Sequence, residues 1–371
     1  MIAAPPATML PCAPCLRRAW LVSALSGRIE HARRGNAGRI PLLLALDDAA
    51  LMAATNAPGA IANAYRRFRR DEAVGAIERA GLHALCCHDE RYPPALAELP
   101  DAPAVLYVAG DLGSFLALVE AGRPSVAVVG ARRASSYGLE VARGLGRGLA
   151  SADATVVSGM ALGIDSAAHV GALEAGAPTI AVLAAGADRP YPASKRRLYG
   201  EICRRGAVVS ELPPRSAVHR WCFPARNRLI AALAQVTVVV EAMERSGSLI
   251  TAEFARDLGR DVGAVPGPVT SPLSRGPNAL LADGAHVIRG AEDALDLACG
   301  VGSWQRRQPA QAIVPDHLRA LHQAVCEGAR TPDALVERGF SVTVVLAGLA
   351  ELELGGHLRR VVGGRYEAVL A

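Results

Sequence analysis

Residues 125–159 read SVAVVGARRASSYGLEVARGLGRGLASADATVVSG. A short apolar run ends in glycine, a small polar loop follows, and a stretch of helical periodicity leads to a second β-branched run, TVVSG. Strand, loop, helix and strand in this order make a βαβ unit, and runs apolar throughout belong to strands buried on both faces. The rhythm continues to about residue 290. Strand-like runs TIAVLAAG, AVVSEL, QVTVVVEA and DVGAVPG alternate with helical patterns such as IDSAAHVGALEAG, SKRRLYGEICRRG, RNRLIAALA and SLITAEFARDLGR. The pattern predicts an α/β fold built on a doubly wound, mostly parallel, Rossmann-like sheet.

The rhythm changes on either side of this block. Residues 16–80 carry helical periodicity without strand runs, which predicts a helical N-terminal domain over 1–87. The proline-rich stretch 88–111 leads in and ends in a short strand, AVLYVAG, so the α/β domain is set at 88–300. A polar break at 301–314 reads as a linker. Residues 315–371 give three helices and two strands around Gly363–Gly364, with Thr331 before Pro332 as a cap-and-start pair. Three helices and a terminal hairpin form the winged-helix pattern, a module that binds duplex DNA or simply packs against protein.

Composition bounds the class. Of 371 residues, 51% are hydrophobic and 20% charged, ample for a large core. Among 40 basic residues only Lys195 is a lysine, and the net charge of +5 suits a polyanionic partner. The N-terminus lacks the basic start and apolar stretch of a signal peptide, and no apolar run is long enough to span a membrane. A cytoplasmic protein is expected. The eight scattered cysteines fit reduced thiols. Cys12 and Cys15 form a CxxC, and Cys86–Cys87 stand beside His88. With no second CxxC the reading favours unpaired thiols over zinc, and no metal or cofactor is expected.

In a parallel sheet the loops after the strands share one edge, where ligands bind. Read as one list, these loops hold Gly130, Arg132, Arg133, Ser135 and Ser136, then Ser158, Gly159 and Gly163, then Tyr191 and Lys195. They continue with Trp221, Phe223, Arg226, Asn227 and Arg228, and end with Ser246, Gly247, Ser248 and Thr251. Small donors at helix N-termini beside arginines suit anions. Arg226 and Arg228, placed in the first turn of a helix, oppose its dipole unless something negative compensates. Glu211 or Glu241 inside the protein, or an external phosphate, fills that role, and the phosphate is preferred. Arg133 is expected to point away as its loop turns into the helix.

The first loop is not GxGxxG, and no acidic residue ends the second strand, which argues against a dinucleotide. GxxxxGK[ST] is absent as well. Asp165 and His169, four residues apart, lack the nucleophile or metal ligands a catalytic site needs, so no enzyme is expected. Donors spread over several loops suit an extended polyanion. Tyr191, Trp221 and Phe223 serve either as stacking faces for unpaired bases or as core plugs.

These residues resemble the DNA-processing protein A (DprA/Smf) family over roughly 88–295. The resemblance rests on YPPALAELPDAPAVLYVAG, VVGARRASSYG, VVSGMALGIDSAAH, GADRPYP, SELPP, FPARNRLIAALA, VVVEAMERSGSLITA, GRDVGAVPG and GPNALLADGA, in this order. It implies an extended Rossmann-like domain, often flanked by a helical N-terminal and a winged-helix-like C-terminal domain. It further implies a non-enzymatic protein that binds and protects single-stranded DNA and loads RecA recombinase onto it during natural transformation. RecA, a single-strand-binding protein and a second copy of the chain are the implied partners. Carried over by motif, Arg132, Ser135 and Gly159–Gly163 line a phosphate pocket, with Arg226, Asn227, Arg228, Ser246–Ser248 and Thr251, while Gly130 is expected to let a phosphate approach closely because a side chain there would intrude on the site. Where family members often carry a lysine after the YP of the third loop, Ala193 stands here, with Lys195 two positions on. Related Rossmann-like phosphoribohydrolases provide the alternative reading, but their PGGxGTxxE is absent. ERSGSLITAE keeps Gly247, Thr251 and Glu253 without the spacing.

Overall fold

The apolar runs become one nine-stranded sheet in the computed structural model, which describes residues 10–33, 39–302, 314–354, 357–361 and 364–368. The strands are β1 (His83–Cys86), β2 (Val105–Gly110), β3 (Ser125–Val129), β4 (Thr155–Ser158), β5 (Thr179–Val182), β6 (Ala207–Ser210), β7 (Val236–Val239), β8 (Asp261–Ala264) and β9 (His286–Val287). Their order is β1-β2-β6-β5-β4-β3-β7-β8-β9. From β6 to β9 every pairing is parallel, while β1–β2 and β2–β6 are antiparallel. The α/β, mostly parallel reading therefore holds, and all six strands of its central run are present.

Alternation explains why both faces are apolar. Val126, Val128, Val156, Val236 and Val238 point to one side, where Leu145 and Leu149 of the helix Ser136–Ser151 and Ala168 and Ala172 of the helix Ile164–Glu174 cover them. Their neighbours Ala127, Val129, Val157 and Val239 point to the other side, against Leu229 and Ile230 of the helix Cys222–Ala232 and Ala252 and Ala255 of the helix Gly247–Asp257. Each fully buried valine contributes about 1.5–3 kcal/mol relative to exposure. A strand slipped by one residue would exchange the two faces.

The N-terminal helices do not stand apart. Residues 1–305 form one compact unit and 306–371 a second. Cys15, Leu16, Ala19, Val74 and Ile77 share a core with Val105, Tyr107 and Val208 of the sheet. Leu21, Leu25, Ile29, Ile40 and Leu51 share another with Trp221 and Ala225. The division at 87/88 is thus not a boundary between separate cores. The apolar faces of these short helices pack against the sheet, the loops after its strands and the 221–232 segment. Strand β1 also begins before residue 88.

The second unit has a core of its own, with Leu321, Val325, Leu335, Val345, Leu349 and Leu352 buried. Helices Arg319–Cys326, Pro332–Glu337 and Val342–Leu354 precede an antiparallel pair, β10 (Leu358–Val361) and β11 (Arg365–Ala368). Thr331 caps the second helix, its hydroxyl accepting from the Ala334 amide at 3.2 Å. Gly363 and most of the 301–314 linker lie outside the described residues.

Candidate nucleic-acid interface

From β3 the chain winds one way through β4, β5 and β6, then returns to place β7 on the other side of β3. The loops after β3 and β7 therefore diverge, and a doubly wound sheet opens its ligand crevice at this reversal. Here an internal anion already occupies the inner part. Glu241, just past β7, is buried (3% exposed), and its carboxylate accepts from the Ser135 amide at 2.9 Å and the Ser135 hydroxyl at 2.6 Å. The Glu241 carbonyl accepts from the Ala131 amide at 2.6 Å. Ser135 also caps the helix Ser136–Ser151, its hydroxyl accepting from the Gly138 amide at 3.1 Å. The helix N-terminus that drew attention in the sequence thus holds a protein carboxylate, the placement its dipole favours. Ser135 is committed inside the protein. Packing requires a glycine at 130, since a Cβ there would meet Ile164 at 2.6 Å and the Glu241 carbonyl at 2.8 Å, and the residue also lines the larger cavity described below.

The two arginines of FPARNR have opposite surroundings. The helix begins at Cys222, so Arg226 and Arg228 lie beyond its first turn and the expected conflict with the dipole is absent. Arg228 is 2% exposed and every guanidinium N–H is used. Nε donates to Asp101 (2.6 Å), Nη1 to Glu211 (2.9 Å) and the Ala225 carbonyl (2.7 Å), and Nη2 to Glu211 (2.7 Å) and the Asp101 carbonyl (3.0 Å). Burial opposes its charge, yet Glu211 and Asp101 outweigh burial and raise its pKa. Arg228 is a structural residue, a correction to its place among the anion contacts.

Arg226 donates one hydrogen bond, from Nη1 to the Val182 carbonyl at 2.7 Å, and its buried Nε has no partner. Burial pulls its pKa down to about 10, Arg132 adds to the fall and Asp165 opposes it. It stays charged at neutral pH, with donors to spare. Its guanidinium fills the space a side chain at Gly159 would occupy, which explains that glycine. Asp165 accepts from the Gly159 and Ala161 amides at 3.2 and 3.4 Å. Burial pushes its carboxyl above the usual range, with Arg226 and the two amides offsetting part of the rise.

Two adjoining cavities meet at Arg226. The larger, about 440 Å³, is lined by Gly130, Arg132, Arg133, Asp165, Phe223, Arg226, Asn227, Ser246, Gly247, Ser248 and Thr251, among others. The smaller, about 180 Å³, adds Gly159, Leu162 and Tyr191. Arg132 lies over the Phe223 ring at 4.6 Å, and the Phe223 and Tyr191 rings are 5.8 Å apart, so a cation and two aromatic faces form a ladder along the rim. On the opposite wall Ser246 caps the helix Gly247–Asp257, its hydroxyl 2.7 Å from that of Ser248, while Asn227 Nδ2 donates to the Gly247 carbonyl at 2.9 Å. This second N-terminus opens into the larger cavity. Arginines, a helix N-terminus, the exposed Tyr191 ring and the half-buried Phe223 ring fit a phosphate with a stacked base.

The remaining candidates divide. Ser158 is buried, donates to the Val128 carbonyl at 2.6 Å and lines neither of these cavities. Gly163 holds φ of +79°, and a side chain there would strike the Ala131 and Arg132 carbonyls. Lys195 ends the short turn Ala193–Lys195, outside both cavities. Trp221 is wholly buried, a core plug. Arg133 lines the larger cavity after all. His169 is buried, its Nδ1 2.8 Å from the Thr179 hydroxyl, and burial lowers its pKa to about 3. Asp165 and His169 thus serve different partners. A cavity of about 650 Å³ elsewhere is bounded by Trp20, Phe68 and Tyr107, away from the strand ends that carry the arginines.

Comparison with known proteins bears on this site. The model of the DNA recombination-mediator protein A family matches residues 83–298. A DprA relative from Mycobacterium tuberculosis is 38% identical over 376 residues, spanning 96% of this chain and 92% of its own. The X-ray structure of DNA processing protein A from Streptococcus pneumoniae matches with a TM-score of 0.61 and 32% identity, covering 77% of this chain and 98% of that one. A Helicobacter pylori DNA processing protein A, whose structure was described for its single-stranded DNA binding mode, matches with a TM-score of 0.52 and 31% identity, over 58% and 94% of the two chains.

Proposed function

Because the chain belongs to the DNA recombination-mediator protein A family, we propose that it binds single-stranded DNA across the paired cavities and delivers the strand to RecA recombinase in DNA-mediated transformation and recombination. The observation that carries this reading is Arg226, a buried cation with free donors where the two cavities meet. In the proposed mode one phosphate sits between Arg226, Arg132 and the Ser246–Ser248 helix end, and flanking bases stack on Phe223 and Tyr191. Neither contact carries a base code, so sequence preference is weak and single strands are favoured over duplex. Homodimers, and an exchange with single-strand-binding protein, complete the proposal. Among the described residues no helix is long and apolar enough to cross a membrane.

The test is fluorescence anisotropy of labelled oligo-dT and of duplex of equal length across a salt series. Neutralising four to six phosphates gives a log–log slope of about −3 to −4, at roughly 0.7 per phosphate. A flat salt response overturns the reading. For delivery, the protein shortens the lag of RecA filament formation on strands coated with single-strand-binding protein, and Arg226→Ala abolishes the effect.

A further inference from the structure

The CxxC set aside for want of a second pair finds one in space. Cys12 is the N-cap of the helix Ala13–Ala24, Cys15 lies in its first turn, Cys86 ends β1 and His88 follows in the next loop. The thiols of Cys12, Cys15 and Cys86 and a ring nitrogen of His88 all lie within 4.8 Å of one another. His88 Nδ1 is 3.3 Å from Cys15 Sγ and 3.5 Å from Cys12 Sγ. With Zn–S near 2.3 Å and Zn–N near 2.0–2.1 Å, a tetrahedral centre has S···N edges of about 3.6 Å and S···S edges of about 3.8 Å. The two observed S···N spacings already approach the first value, and every ligand pair lies within 4.8 Å.

The geometry points to a structural zinc site formed by Cys12, Cys15, Cys86 and His88. Four protein ligands close the shell, the hallmark of a structural rather than a catalytic centre. Three thiols release their protons to solvent on binding, and the thiolates with neutral His88 leave the centre with one net negative charge. The first turn of the helix Ala13–Ala24 favours that charge. Cys15 and Cys86 are buried, at 4% and 6% exposed. Arg70 pins the chain just ahead of Cys12 by donating from Nε to the Pro11 carbonyl at 3.1 Å, and the Cys86 carbonyl accepts from the Asp89 amide at 2.8 Å. Cys87 stands close, 3.6 Å from Cys15 Sγ, but it is solvent-exposed and outside the mutually close set. The site joins residues 76 positions apart, clamping the first helix to the first strand of the sheet. A clip across so long a loop restricts the unfolded chain and ties metal binding to folding. None of its ligands lines the DNA cavities.

The test uses the full-length, untagged chain produced in zinc-supplemented medium and passed over a weak chelating resin. Elemental analysis is expected to return one zinc per chain. Cys12→Ser, Cys15→Ser, Cys86→Ser and His88→Ala each lose it, while Cys87→Ser keeps it. Cobalt exchanged into the wild type shows thiolate charge-transfer bands and the visible bands of a tetrahedral ion. Removing the metal with a strong chelator lowers Tm by at least about 5 °C, and re-adding zinc restores it. Oligo-dT binding serves as the folding control. A wild-type chain with no more metal than the Cys12→Ser variant, or a disulfide among these cysteines in place of metal, overturns the site. Retention by Cys86→Ser with loss by Cys87→Ser overturns the ligand set.

Discussion

Arg228→Ala separates the two arginines of FPARNR more sharply than any other change. The substitution leaves the carboxylates of Asp101 and Glu211, 2% and 10% exposed, without their shared cation. Removing one partner from a buried ion pair costs about 3–5 kcal/mol. At roughly 2.1 cal/mol/K of unfolding entropy per residue, the 305-residue unit carries about 0.6 kcal/mol/K, so Tm falls by about 5–8 °C. Burial already raises the Asp101 carboxyl above its ordinary value, and losing Arg228 removes the cation that opposes that rise. Protonation of Asp101 relieves the folded state, so the deficit shrinks from neutral to mildly acidic buffer. Differential scanning fluorimetry at two pH values measures this, with oligo-dT affinity of the folded fraction as companion. Affinity stays within about twofold, a tolerance of roughly 0.4 kcal/mol. An unchanged Tm together with a large loss of DNA affinity would refute the structural role and return Arg228 to the binding surface.

Arg226→Ala does the reverse: oligo-dT affinity drops about tenfold or more and the salt slope loses roughly 0.7, with a smaller Tm change. Gly159→Ala, which takes the space of the Arg226 guanidinium, gives the same affinity loss with every arginine present, measurable in the same titration. Phe223→Ala removes both a base platform and the seat of Arg132, and costs about 1–3 kcal/mol of affinity by anisotropy while duplex binding changes little. Arg132→Ala and Arg133→Ala each reduce the slope by about 0.7, because both line the larger cavity. Glu241→Ala strands the Ser135 amide and hydroxyl at about 1–3 kcal/mol each, seen as a lower Tm that added sulfate partly restores.

Six consecutive strands from β3 to β8 were legible because valine-rich runs bounded by glycine or polar residues are too short for helices and too apolar for loops. β9 was not, since two residues, His286 and Val287, carry no period and both are exposed. The N-terminal helices were legible as helices but not as part of the sheet's unit. Periodicity shows which face is apolar and is silent on what covers it. The same gap explains Ser135 and Arg228. Their types suit an anion, and the anions lie inside the protein: Glu241, 106 positions from Ser135, and for Arg228 both Glu211, the internal partner weighed against phosphate in the sequence, and Asp101, 127 positions away, to which no pattern pointed. What distinguishes Arg226 from Arg228 is an unspent set of donors, a property of neighbours rather than of the residue.

Glu241 also changes the thermodynamics of the crevice. In an open doubly wound sheet the loops at the strand reversal gain their anchoring partner only when a ligand's negative group arrives, and ordering them is charged against affinity. Here the ordering agent is covalently part of the chain. The β3 and β7 loops are held to one another by Ser135, Ala131 and Glu241 before any DNA is present. The walls that carry Arg132 and the Ser246 helix end are therefore preorganised, and the innermost anion seat is taken. Under the proposed function, such a groove would grip any stretch of polyphosphate alike and release it without unfolding its own walls.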